Sequence, residues 1–103
     1  MSAGPIAVET SWHASADYIV FQNVGEIVAA FNRRSGDTHI LNFLSKAIVD
    51  CLCREPATAT ALMSAVLAEI GMEAADMPEG LLEKTLLELD DIGLIEPIRE
   101  VKP

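Results

Sequence analysis

"EIVAAFNRRSGDTHILN", Glu26 to Asn42, is the stretch on which the fold turns. Its two ends, "EIVAAF" (26–31) and "DTHIL" (37–41), are short runs of apolar and β-branched residues, and "NRRSG" between them is too brief for a crossover. Strands joined so closely run antiparallel. One turn upstream, "DYIVFQ" (17–22) reads as a further strand, with "NVG" as the turn and Gly25 free to take positive φ. The three runs form a meander. Gly36 supplies the positive φ that the five-residue connection needs. Asp37 is placed to accept hydrogen bonds from loop N–H groups near Arg33 or Arg34. Beyond it, Thr38 and Ile40 face one side of the sheet and His39 and Leu41 the other. A slip of one residue would invert all four, so Gly36 and Asp37 read as the turn and register residues.

After Asn42 the period lengthens from two to that of a helix. Leu44, Ala47, Ile48, Cys51 and Leu52 share one helical face, with Asn42 as the cap and Pro56 as the stop. Thr58 or Thr60 caps a second helix with Leu62, Met63, Val66, Leu67 and Ile70 on its apolar face, and Gly71 ends it. A loop with Asp76 and Pro78 opens a third, whose face is Leu81, Leu82, Thr85, Leu86, Leu89 and Ile92, closed by Gly93. Residues 1–15 read as a loose arm with Trp12 as an anchor, 16–98 as a single domain, and 99–103 as a tail, with "LIEPI" (94–98) extended. The expected class is α+β and winged-helix-like: an N-terminal three-stranded antiparallel sheet followed by three helices.

The chain has 103 residues, long enough for a core without staples. Sixteen acids against seven bases give a formal charge of −9, which disfavours both phosphate backbones and anionic lipid as partners. The mean hydropathy of +0.30 is high for a small domain and points to apolar surface kept for a partner. Cys51 and Cys53, two apart on a helix, point roughly 200° away from each other and cannot pair locally. The N-terminus lacks the basic start and apolar core of a signal peptide, and no run is long enough to span a bilayer. The expectation is a reduced, cytoplasmic domain.

Catalytic chemistry finds little support. His13, His39, Cys51 and Cys53 lack the spacing of a zinc site, so no metal and no cofactor is expected. There is no Gly-X-Ser-X-Gly elbow and no phosphate-cradling glycine loop. Asp37 and His39 share a face but have neither a nucleophile nor an oxyanion site beside them. A winged helix could enter DNA, yet "DMPEGLLEKTLLELDDIG" carries six acids against Lys84 alone. A regulatory or protein-interaction module of that type is the alternative function. A polypeptide ligand fits better: the third strand of a meander has an open edge, and an edge beside an apolar helix can take an added strand. His39 is then either a sheet residue hydrogen-bonded across to a loop or part of the edge that meets the ligand.

The segment "EIVAAFNRRSGDTHILN", the Leu/Ala/Ile-rich helix after it and the closing "LLELDDIGLIEP" resemble the PqqD-like peptide chaperones, over roughly residues 12 to 97. "SGDTHILN" resembles more narrowly the subgroup associated with a kinase related to HPr kinase. The resemblance implies a precursor-peptide recognition element, non-enzymatic, that captures the leader of a ribosomally made peptide and presents it to a modifying enzyme. It implies that the leader adds to the third strand in the cleft against the third helix. Carried over by position, the peptide contacts are Thr38, His39, Ile40 and Leu41 on the strand and Leu82, Thr85, Leu86 and Leu89 on the helix.

Overall fold

A computed structural model describes residues 10–98; the expected tail at 99–103 and the first nine residues of the expected arm lie outside them. The meander forms as Ile19–Val24 (β2), Ile27–Asn32 (β3) and Thr38–Leu41 (β4), in the spatial order β2-β3-β4. Its first two turns need left-handed glycines, Gly25 at φ 64° and Gly36 at φ 81°. The register pairs Ile19 with Asn32 at one end and Val24 with Ile27 at the other, and Val28 with Leu41 on the far side.

Paired residues point to the same face, so the register sorts the sheet into two sides. The inner side carries Ile19, Phe21, Ala30, His39 and Leu41 and packs on the helices. The outer side carries three cross-strand rows: Val20–Phe31–Thr38, Gln22–Ala29–Ile40 and Val24–Ile27.

Three helices follow. Helix α1 spans Phe43–Arg54, and the Asn42 side chain accepts a hydrogen bond from the Ser45 amide at 2.8 Å. Helix α2 spans Ala59–Ile70, capped by Thr58 Oγ1, which accepts from the Ala61 amide at 3.2 Å, and stopped by Gly71 in the left-handed region. After one 3-10 turn at Ala74–Asp76, helix α3 runs Leu81–Asp91. Helix α1 is buried on most of its circumference because it is the middle layer: Ile48 and Leu52 meet Leu62 and Val66 of α2 and Leu82 and Leu86 of α3 in one aliphatic core. No helix of the described residues is long and apolar enough to cross a membrane.

The architecture is thus α+β with three helices and two three-stranded antiparallel sheets. The second sheet differs from the expectation of one sheet and a loose arm. Ser11–His13 (β1) is its central strand, between Ala57–Thr58 (β5) and Glu96–Pro97 (β6). Strands of two or three residues carry no detectable alternation, so their pairing is set by the elements around them. The anchor expected at Trp12 is real, at 2% exposure, and lies between Ala57 on one side and Pro97 on the other.

Candidate functional site

The connection between β3 and β4 closes differently from the reading in which Asp37 binds the loop. Asn32, the last residue of β3, is 4% exposed, and its Oδ1 accepts from the Arg34 amide at 2.8 Å and the Ser35 amide at 3.3 Å. Its Nδ2 donates to the Gly93 carbonyl at 3.2 Å, which ties the hairpin to the end of α3. Asp37 contributes its backbone: its carbonyl accepts from the Asn32 amide at 2.8 Å, and its amide donates to Ser35 Oγ at 3.3 Å. The loop is held further by Arg34, which lies over the Tyr18 ring at 4.6 Å and reaches Glu96 Oε2 at 3.4 Å.

The outcome is that β4 is fixed in register while its far edge pairs with no strand among the described residues. Thr38 and Ile40 are exposed, Ile40 at 67%, and Leu41 is buried. His39 is half-buried beside Ala30, and its Nε2 is enclosed without a hydrogen-bond partner among the described residues. The bond from His39 to a loop that the sequence suggests is therefore not made at that atom.

Where β4 runs into α1, a cavity of about 300 Å³ opens between the start of α1, the end of α2 and α3. Phe43, Met72, Met77 and Leu81 give it an apolar lining, and Lys84, Thr85 and Glu88 form the wall from α3. Met77 is buried and Phe43 is 67% exposed, so the cavity has an apolar floor and an apolar lip. The two methionines are adaptable in shape.

The residues expected to meet a ligand are divided by this geometry. Thr38 and Ile40 stand open on the strand and Thr85 lines the cavity. Leu82, Leu86 and Leu89 are 1%, 0% and 2% exposed and belong to the core. The groove face of α3 is Leu81, Lys84, Thr85 and Glu88, rotated one residue toward the N-terminus from the core face. Thr85 sits where the two faces meet, its hydroxyl donating to the Leu81 carbonyl at 2.8 Å. The signal for this division is the phase of the helix: the most apolar arc goes inward, and the groove takes its amphipathic flank.

The cysteines lie elsewhere. Cys51 is buried in the core and Cys53 half-buried, and burial raises both thiol pKa values above the ordinary range, with Asp50 adding to the rise at Cys53. Among the described residues no three His, Cys, Asp or Glu side chains converge as a metal site would require. Compared with protein-family models, curated proteins and solved structures, the chain matches none.

Proposed function

We propose that this protein is a non-catalytic adaptor that captures the leader of a ribosomally made precursor peptide and presents it to a modifying enzyme. The observation that carries the reading is the open edge of β4 running directly into the apolar cavity beside α3. An extended peptide added along Thr38–Leu41 gains main-chain hydrogen bonds from the edge, and a side chain beyond Leu41 reaches the cavity past Phe43. Neither step calls for a cofactor. In this reading the helices and sheet are arranged as in a winged helix, with the recognition helix turned to a peptide rather than to nucleic acid. Glu83, Glu88, Asp90 and Asp91 on α3 oppose Lys84 alone, so the helix would repel a phosphate backbone. The resemblance of "SGDTHILN" favours a kinase related to HPr kinase as the enzyme served, in the cytoplasm.

The test is a nitrogen–proton correlation titration of the labelled protein with the leader of a precursor encoded beside it. Shifts confined to residues 38–43 and to Leu81, Lys84, Thr85 and Glu88 are the expected result. Shifts scattered over the solvent faces of α1 and α2, or no shifts, would sink the reading.

A further inference from the structure

The outer side of the β2-β3-β4 sheet meets the candidate site only at Thr38 and Ile40, and most of the exposed large apolar side chains of the described residues stand on it. Val20, Val24, Ile27, Phe31 and Ile40 stand on it at 46%, 59%, 50%, 39% and 67% exposure. Of the eight positions in its three rows none is charged, and only Gln22 and Thr38 are polar, in a chain whose net charge is −9. Depletion of charge over a contiguous apolar face is a feature that interface centres share.

We propose that this face packs on the same face of a second copy of the chain. The rows are arranged for it. Ala29, the smallest residue of the face, lies in the middle row, flanked by the apolar pair Val20–Phe31 on one side and Val24–Ile27 on the other. A two-fold axis lying between the two sheets, above Ala29 and parallel to the rows, lays the Val20–Phe31 pair of one copy on the Val24–Ile27 pair of its partner. The two sheets then meet as the layers of a sandwich about 10 Å apart. A cationic partner would find no counter-charge on this face, whereas an identical uncharged face fits it without desolvating an ion.

Size sets the strength. Two strands of six residues and one of four, about 4.8 Å apart and rising about 3.4 Å per residue, give roughly 260 Å² in projection. That is no larger than the apolar patches monomers ordinarily keep, and below the roughly 800 Å² per partner of stable assemblies. The dimer is therefore weak, reversible and concentration-dependent. It is also strengthened by salt, because two copies of charge −9 repel each other across an interface that contains no charge. The cavity is lined from the helices and not by this face, while Thr38 and Ile40 are shared with the proposed peptide edge. The inference does not depend on the peptide-binding reading.

Sedimentation equilibrium of the full chain from about 10 µM to about 1 mM tests it, at low salt and at about 0.5 M salt. The weight-average mass is expected to climb from 11.1 kDa toward twice that value, more steeply at high salt. Ile27→Glu and Phe31→Lys, each checked for an unchanged circular dichroism spectrum, should stay at the monomer mass. An equimolar mixture of the two should recover the rise, since the two-fold lays position 27 on position 31. Val24→Lys, at the most open end of the face, gives the same answer if either variant folds poorly. A wild-type mass that stays flat overturns the proposal. So does an Ile27→Glu protein that associates as the wild type does, which would move the contact to the edge of β4, or a mixture that remains monomeric.

Discussion

Asn32 is the residue on which the hairpin between β3 and β4 depends, and nothing in its sequence context distinguishes it from the loop that follows. Read from the chain, it is the first residue of "NRRSG"; folded, it is a buried amide with bonds to Arg34, Ser35 and Gly93. Gly36 by contrast is legible at once, because only a left-handed turn explains a glycine there. Asn32→Ala removes three hydrogen bonds and leaves the Gly93 carbonyl without its partner. It should lower stability by about 2 kcal/mol in urea denaturation, with an unchanged slope. Asn32→Asp keeps the two loop bonds but turns a carboxylate on the Gly93 carbonyl, and should fare no better. The thiols make a second prediction at this scale. Burial raises the Cys51 and Cys53 pKa values in the folded state, so above the unfolded thiol pKa the folded chain holds more protons than the unfolded one. Stability should then be intact below about pH 8.5 and fall as pH rises beyond it. Cys51→Ala should flatten that alkaline slope in melts taken from pH 7 to 10; a slope that survives both cysteine replacements would refute the assignment.

At the scale of the element, helix boundaries are well marked because their causes are local. Asn42, Thr58, Gly71 and Gly93 cap or stop the helices where the side-chain chemistry requires. Asn42→Ala should cost about 1 kcal/mol, read as a lower melting temperature. What local chemistry leaves open is which arc of α3 meets the groove. The leucines stand out in the chain, but the most apolar arc is drawn to the core, and the cavity is left with the flank. Two substitutions separate the arcs. Leu86→Ala should cost about 2–5 kcal/mol of stability, as a fully buried leucine does, and unfold as one transition. Leu81→Glu should leave stability within about 1 kcal/mol yet weaken leader binding by about tenfold or more in a titration, since it sets a carboxylate at the cavity mouth. Equal losses of stability in the two variants would show the groove face to be core as well.

For the whole molecule, the meander and the helix order were legible because each rests on neighbours in the chain. The small sheet was not, since Ser11–His13 finds its partners at Ala57–Thr58 and Glu96–Pro97. Trp12 sits at that meeting point, and Trp12→Ala should cost about 3–5 kcal/mol, enough to leave a domain of this size marginal at 37 °C by thermal melt. The same strand has a bearing on how the protein is made. During synthesis Trp12 leaves the ribosome well before the Pro97 it pairs with. At ordinary elongation rates the indole waits roughly 4–17 s for its enclosure. Through that interval the nascent chain carries an unburied tryptophan, and the closing of the domain is timed by the synthesis of β6, whose arrival locks the first strand in place.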